Sequence, residues 1–287
     1  MNNLCNICPN KCNANRNITF GKCGATNKLN IAKYYLHPFE EPIISGENGS
    51  GTIFFTGCGL RCVFCQNYEL SRVKRGKDIT SKELADIFKE LEDLKATNIN
   101  LVTPSHYIYQ IIEALSIYKP KIPIVYNTHS YENLESLKLI DSFVDVYLAD
   151  VKFKDEKVSL RYTNKEDYFL VASKNVEFMM NSKKTIIENG VLKQGVIVRH
   201  LILPMQTNDS LEIIDWFNNS KKNGAFLSIM SQYTPFGDIQ NFDELKRKIT
   251  KREYNKVLEY LYSLNIENCF VQDLKSASTT FIPKWDF

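Results

Sequence analysis

The chain has 287 residues, 44% of them hydrophobic, and its 36 Lys and Arg residues are nearly balanced by 33 Asp and Glu residues. A chain of this length and composition can bury one large core or two modest ones, which excludes a disordered or fibrous protein. The net charge is only +3 and no basic stripe is present, which argues against nucleic acid as a partner.

The chain begins with MNNLCNICPNKC, which has neither the basic start nor the apolar run of a signal peptide. No later segment approaches about 18 continuous apolar residues, so we expect a cytoplasmic protein that does not enter a membrane. Seven of the eight cysteines fall in the first 65 residues. Such short spacings in a chain without a signal peptide favour metal binding over disulfides, and they predict a reducing compartment.

Four cysteines of the segment 1–49 follow the pattern C-x2-C-x3-C-x10-C. They are Cys5, Cys8, Cys12 and Cys23. Four thiolates suffice for a closed site, which can hold either structural zinc or a second iron–sulfur cluster. Zinc is slightly favoured, although the proline after Cys8 is typical of ferredoxins. Because this segment has few apolar side chains, we expect metal binding to contribute much of its folding free energy.

From residue 50 to 287, β-rich runs alternate with amphipathic runs. Strands are predicted at 51–56, 98–103, 122–128, 145–150, 195–203 and 225–231. Helices are predicted after Thr80, which is in capping-box register with Glu83, and at 107–118, 132–140, 165–189 and 210–222. This alternation predicts an α/β protein whose parallel sheet is covered on both faces. The pattern leaves open whether the sheet closes toward a barrel or stays doubly wound.

Polar side chains collect where the predicted strands end. They are Cys58, Thr103, Ser105, Asn127, His129, Asp150, Lys152, Arg199, His200, Gln232 and Tyr233. Polar residues commonly begin loops, so each one alone is weak evidence. Because the carboxyl ends of parallel strands meet at one rim, their convergence predicts a functional site there.

The segment GCGLRCVFCQN, residues 57–67, carries Cys58, Cys62 and Cys65 with no fourth cysteine nearby. Three thiolates from one loop can hold three corners of a 4Fe-4S cluster and leave the fourth iron open to a small molecule. Zn²⁺ with three thiolates and a water is the alternative, although catalytic zinc sites more often use His and carboxylates. Glycines around Cys58 mark a loop, which makes three inert buried thiols a poor explanation.

The spacing Cys58-x3-Cys62-x2-Cys65, with Phe64 before the last cysteine and a strand before the first, resembles the signature of the radical S-adenosylmethionine (radical SAM) superfamily. The resemblance extends over nearly the whole chain, most closely to the pyruvate formate-lyase activating enzyme-like group. It is carried by HPFEEPIISGENGSGTIFFTGCGLRCVFCQNYELS, NINLVTPSHY, GVIVRHLILP, MSQYTP, VQDLKSA and FIPKWDF. The implied fold is a partial (β/α)6 barrel over 50–287, preceded by the cysteine-rich metal-binding segment 1–49.

The resemblance implies that S-adenosylmethionine binds the open iron and is cleaved reductively to a 5′-deoxyadenosyl radical that abstracts a hydrogen atom. Asp150, Lys152 and Arg199 match cofactor-binding positions of the activating enzymes. Tyr233, beside Gln232, matches an adenine-side position, and the backbone around Phe64 is expected to meet the adenine edge. An electron donor such as flavodoxin or ferredoxin is the implied partner.

Two positions depart from the activating enzymes. Their Gly-Gly-Glu segment for the methionyl amino group is replaced by residues 102–105, in which the oxygens of Thr103 and Ser105 can accept hydrogen bonds from an ammonium group. Their aspartate after the third strand is replaced by Asn127, which loses the charge but keeps an acceptor. Cofactor binding is still expected, whereas the macromolecular substrate is left open.

The histidines and the last cysteine give weaker functional signals than the cysteine groups. His37, His106, His129 and His200 share no metal-ligand spacing, and His106 and His129 are the better functional candidates because they follow strands. Cys269 is expected to be a buried apolar side chain, with a role as hydrogen donor as the alternative.

Three functions compete. The first is an activase that removes a hydrogen atom from a glycine of a partner enzyme. The second is a radical enzyme that acts on a small molecule or on a different peptide. The third is a binding module stabilised by zinc at both cysteine groups, without turnover. Iron and sulfide analysis of anaerobically purified protein separates the third from the first two.

Overall fold

The computed structural model describes residues 4–72, 75–277 and 285. One sheet contains ten strands in these residues, with β7 paired only to β8 beside the main path. The strands are β1 Leu29–His37, β2 Ser50–Phe55, β3 Lys77–Ile79, β4 Ile99–Val102, β5 Ile124–Thr128, β6 Val146–Asp150, β7 Ile186–Glu188, β8 Val191–Leu201, β9 Phe226–Met230 and β10 Cys269–Val271. Their spatial order is β10-β9-β8-β6-β5-β4-β2-β1-β3.

The strands from β2 to β10 along this path run parallel, and β1 and β3 extend the β2 edge antiparallel. The helices are α1 Pro42–Ser45, α2 Tyr68–Arg72, α3 Ser81–Asp93, α4 Ile108–Ile117, α5 Leu134–Ile140, α6 Glu156–Thr163, α7 Tyr168–Ser182, α8 Thr207–Ser220 and α9 Lys251–Ser263. Of these, α3, α4, α5, α7, α8 and α9 cover the outer face of the sheet. The predicted α/β class with a parallel sheet is confirmed.

Each of the six predicted strands has a counterpart in the sheet, displaced by at most four residues at its ends. The capping box at the start of α3 is also present, with the Thr80 side chain accepting from the Glu83 N–H and the Glu83 side chain accepting from the Thr80 N–H. The helix predicted over 165–189 is wrong at its end. There α7 stops at Ser182 and the chain turns into β7, whose hairpin with β8 is closed by Asn189 and Gly190.

Alternate residues of the parallel strands face opposite layers. Tyr126 of β5 and Ala149 of β6 belong to the large core that packs against the helices. Val125 and Leu148 point the other way, into the barrel, where they pack around Ile44 of α1. The segment between β1 and β2 therefore enters the interior of the barrel and closes its lower part with an apolar side chain.

The closing motif FIPKWDF, which contributed to the resemblance, lies outside the described residues except for Trp285, whose ring meets Phe54 edge-on at 5.1 Å. Within the described ranges, no helix has both the length and the apolar composition needed to cross a bilayer.

Shortening Ile44 should destabilise the barrel because its side chain is fully buried among strand residues. We expect Ile44→Ala to lower the free energy of unfolding by about 2–5 kcal/mol, the usual cost of such a cavity. Ile117→Ala removes the same atoms from an exposed position and should change stability by no more than about 0.5 kcal/mol. Denaturant unfolding measures both, and equal costs would contradict this packing.

Candidate active site

A cavity of about 240 Å³ opens at the carboxyl ends of the parallel strands and reaches into the barrel. Eleven of the twelve residues predicted to hold the catalytic cluster or its cofactor line it: Cys58, Cys62, Phe64, Cys65, Thr103, Asn127, Asp150, Lys152, Arg199, Gln232 and Tyr233. Ser105 is the twelfth; it lies in the buried helical turn Ser105–Tyr107 and does not line the cavity. The topology thus brings together side chains at the carboxyl ends of six strands.

The three-cysteine loop, residues 57–67, is held at its amino-terminal end and in its middle. The Gly57 N–H donates to the Leu70 carbonyl (2.8 Å), and the Cys58 N–H donates to the Cys23 carbonyl (2.9 Å). In the middle, the Val63 N–H donates to the Tyr162 carbonyl at 3.0 Å and the Val63 carbonyl accepts from the Asp238 N–H at 2.8 Å. These bonds satisfy the buried backbone and fix the path of the loop.

Phe64 anchors the loop in a cluster of aromatic rings. Its ring meets those of Phe153, Tyr162 and Tyr233 edge-on, at centroid distances of 5.9, 5.9 and 6.2 Å. The Tyr233 hydroxyl donates to the Leu245 carbonyl at 2.7 Å. Edge-to-face packing of this kind adds to the area that is buried, so the aromatic residue of the motif positions the adjacent cysteines.

The three thiols share a buried environment. Burial and, after it, the neighbouring Cys65 raise the pKa of Cys58 to about 11. Burial likewise raises the pKa of Cys62 and of Cys65, while the positive charge of Lys152 lowers both. Thiols of this kind stay protonated in an apolar pocket unless a cation is present, and a bound metal removes the proton outright.

Arg199 is the centre of a buried charge network. Its Nε donates to Asp150 Oδ1 at 2.9 Å, Nη1 donates to Glu40 Oε2 at 3.1 Å, and Nη2 donates to Asn127 Oδ1 at 2.6 Å. Burial alone would lower the pKa of Arg199, but the carboxylates around it raise the pKa above its ordinary value. The guanidinium is therefore a permanent charge whose orientation is set by three partners.

Lys152 and Asp150 form the second part of this network, with Lys152 Nζ 2.7 Å from Asp150 Oδ2. Burial raises the pKa of Asp150, but Arg199 and Lys152 outweigh it and the pKa falls below its ordinary value. For Lys152, burial lowers the pKa and Asp150 more than compensates. Both side chains line the cavity as charged groups.

Glu40 and Glu41 were missed by the sequence interpretation. Glu40 lines the cavity, and its Oε1 accepts from Asn100 Nδ2 at 3.2 Å. Burial raises the pKa of Glu41 to about 7, against the lowering effect of Arg199. Adjacent glutamates between prolines in HPFEEP were the available signal, but such pairs usually lie on solvated loops. Only the entry of this segment into the barrel gives them a role.

The family model described as Radical SAM superfamily matches residues 52–217, more than half of the chain. The chain belongs to the radical SAM superfamily. The matched range contains the three-cysteine loop and Asn127, Asp150, Lys152 and Arg199 of the charge network, but not Glu40.

Similar sequences and structures agree with this assignment. An uncharacterized protein of Methanocaldococcus jannaschii is 30% identical over 272 residues, covering 92% of this chain and 75% of that protein. The pyruvate formate-lyase-activating enzyme of Clostridium pasteurianum is 27% identical over 244 residues, covering 76% of this chain and 94% of the enzyme. Streptococcus suis SuiB bound to S-adenosylmethionine superposes with a TM-score of 0.53 at 13% identity, covering 77% of this chain and 49% of SuiB. This chain thus spans about half the length of SuiB. At 13% identity, the superposition shows that the two proteins share a fold and nothing more.

The donor set fits the iron–sulfur cluster and the cofactor that the radical SAM family implies. Three thiols of one loop open to the same cavity as two partly buried cations and a carboxylate. In the described ranges, no three His, Cys, Asp or Glu side chains surround a common point at metal-ligand distance. The position of each cysteine sulfur depends on its side-chain rotamer, which a rotation about the Cα–Cβ bond changes. The fit is therefore judged from the shared loop, the cavity and the nearby positive charge.

The histidines have different environments. His200 is structural, since Nδ1 lies 2.9 Å from the Val151 carbonyl and Nε2 lies 2.8 Å from Ser210 Oγ. His106 Nε2 lies 2.8 Å from the Thr56 carbonyl, outside the cavity. His37 and His129 line the cavity. His129 Nδ1 accepts from the Tyr131 N–H at 3.1 Å, while its buried Nε2 has no hydrogen-bond partner among the described residues.

The amino-terminal thiols lie close to one another. Gly21 lies next to two of them in space. A Cβ atom at this position would be 3.2 Å from Cys23 Sγ and 3.6 Å from Cys12 Sγ. Burial raises the pKa of Cys12, but the N–H groups of Lys22 and Ala14 lower it below its ordinary value. Backbone N–H groups that stabilise a thiolate are typical of a metal-bound cysteine.

Removing Lys152, one of the two cations of the cavity, should weaken cofactor binding. We expect Lys152→Met to weaken S-adenosylmethionine binding about tenfold to hundredfold, the effect of losing a charge-assisted hydrogen bond of about 1.5–3 kcal/mol. Lys154→Met is the control, because Lys154 pairs with Glu212 at the surface (2.9 Å) and does not line the cavity. Calorimetric titration of protein that contains the cluster measures the affinity of both variants. Equal affinities of the two variants for S-adenosylmethionine would show that Lys152 does not bind it.

Proposed function

We propose that this protein is a radical SAM enzyme that uses a 4Fe-4S cluster, held by Cys58, Cys62 and Cys65, to start hydrogen-atom abstraction from a substrate. When bound, the cluster supplies one electron and S-adenosylmethionine supplies the 5′-deoxyadenosyl radical. The observation that carries the proposal is the opening of three thiols from one loop into a cavity lined by Asp150, Lys152 and Arg199.

The residues of the cavity have separable tasks in this proposal. Lys152 and Arg199 supply the positive charge that a methionyl carboxylate requires. The N–H groups of Arg199 that point to Asp150, Glu40 and Asn127 leave two of its five donors for a ligand. Asp150 holds both cations in place and offers acceptor capacity to ribose hydroxyls. Thr103 follows β4 and offers oxygens to the methionyl ammonium group.

Exclusion of water is the task of the apolar residues. Leu60, Phe64 and Tyr233 are buried where the loop meets the barrel, and they shield one wall of the cavity from solvent. A radical needs such shielding because it reacts with any neighbouring hydrogen donor.

The substrate that we propose is a glycine of a partner enzyme. Its support is the similarity to the Clostridium pasteurianum activating enzyme, which extends over 94% of that enzyme. A flavodoxin or ferredoxin is the proposed electron donor.

The amino-terminal cysteines are proposed to hold zinc or a second cluster in a closed site, as their count and backbone donors suggest.

Loss of one loop cysteine should abolish turnover and leave the fold intact. We expect Cys58→Ala to form no 5′-deoxyadenosine with dithionite and to retain the wild-type circular dichroism, because the strands do not depend on this loop for their core. Cys269→Ala is the control, since Cys269 lies on β10 outside the cavity. Chromatography of the products and iron analysis decide. Zinc alone at the loop, or cofactor cleavage by Cys58→Ala, would reject the radical mechanism.

A further inference from the structure

The amino-terminal cysteine segment is bonded directly to the three-cysteine loop. The carbonyl of Cys23 accepts the N–H of Cys58 at 2.9 Å. Asn10 Nδ2 donates to the Gly59 carbonyl at 2.8 Å, and Arg61 Nη1 donates to the Lys22 carbonyl at 3.2 Å. Three hydrogen bonds therefore join the middle and the end of the amino-terminal cysteine segment to the first part of the three-cysteine loop.

The two segments are also in close steric contact. Gly57 has φ +87°, and a Cβ there would lie 2.7 Å from the Cys23 carbonyl oxygen, too close for any other residue. A Cβ on Gly59 would lie 3.4 Å from Asn10 Nδ2 and 3.9 Å from Cys8 Sγ. The loop is thus shaped to receive the amino-terminal segment.

Asn10 links a thiol to the loop backbone. Its amide nitrogen lies 3.5 Å from Cys8 Sγ as well as 2.8 Å from the Gly59 carbonyl, and its amide oxygen accepts from Lys165 Nζ at 2.5 Å. A metal ion at Cys8 would fix the residue two positions before Asn10. It would thereby fix the donor that holds Gly59.

His129 also borders this junction. Its Nδ1 accepts from the Tyr131 N–H, so Nε2 carries the proton and is a donor. That buried Nε2 has no hydrogen-bond partner among the described residues, and a Cβ on Gly59 would lie 4.0 Å from it.

We propose that residues 5–23, the amino-terminal support, bind a thiophilic metal ion through Cys5, Cys8, Cys12 and Cys23, and that this ion holds the three-cysteine loop in its working shape. The coupling passes through the Cys23 carbonyl and the Asn10 amide. This proposal rests on the proposed function, since the loop is taken to hold the catalytic cluster.

The test measures how firmly the loop holds its iron. The full chain, reconstituted with Fe²⁺ and sulfide and with the support loaded with either Zn²⁺ or Fe²⁺, is exposed to an iron chelator. We expect Asn10→Ala to release iron from the loop about fivefold faster, the effect of one lost hydrogen bond. Asn10→Asp, which keeps the contact with Lys165 and loses the donor, should behave alike.

Asn133→Ala is the matched control. Asn133 Nδ2 also bonds the support, at the Asn6 carbonyl (2.6 Å), but it does so from the start of α5 and away from the loop. It should release iron at the wild-type rate. Equal rates for the Asn10 and Asn133 variants would overturn the coupling.

Hydrogen exchange of residues 57–65 separates this proposal from the proposed function. Wild-type protein given only Zn²⁺ should protect the Cys58 amide, and replacing all four amino-terminal cysteines by Ser should remove that protection. If the loop takes up no iron, the proposed function fails, and this exchange experiment still tests the support. Unchanged protection in the quadruple variant would overturn the support itself.

Discussion

A guanidinium group buried inside the barrel is the constraint on which the site depends. Removing Arg199 from water is costly unless each buried charge is paired, and its partners come from β6, β5 and the segment between β1 and β2. Those partners can reach it only if β8 lies beside β6 and residues 38–45 enter the barrel. The strand order and the position of α1 are therefore tied to one ionic network.

The same network gives the cavity its chemical character. Asp150 stays ionised between Arg199 and Lys152, so the carboxyl ends of β6 and β8 present a fixed arrangement of charge rather than a solvated one. Fixed dipoles and charges need no reorganisation when a ligand binds. The cavity is thus suited to a zwitterionic cofactor with an amino acid head group, which agrees with the superfamily to which the chain belongs.

The cysteine loop is positioned by weak forces acting together. Backbone hydrogen bonds hold Cys58 and Val63, and the Phe64 ring is enclosed by three other aromatic rings. The three thiol groups then face the cavity beside Leu60 and Phe64 of the same loop. The loop owes its path to neighbours on two sides, the barrel helices and the amino-terminal segment, and this explains why a glycine is required at position 57.

Local patterns in the sequence determined the strands, most helices and the three-cysteine loop. Apolar runs predict buried strands, Thr80 and Glu83 cap a helix within four residues, and the cysteine spacing predicts a metal loop, because each of these depends on neighbours along the chain. The structure alone showed that Glu40 joins the site, that Ser105 lies apart from the cavity, that 186–188 is a strand, and that Cys23 bonds Cys58. Arg199 follows Glu40 by 159 residues, and contacts so distant in sequence are set by strand order and packing, which leave no periodic trace in the residues themselves.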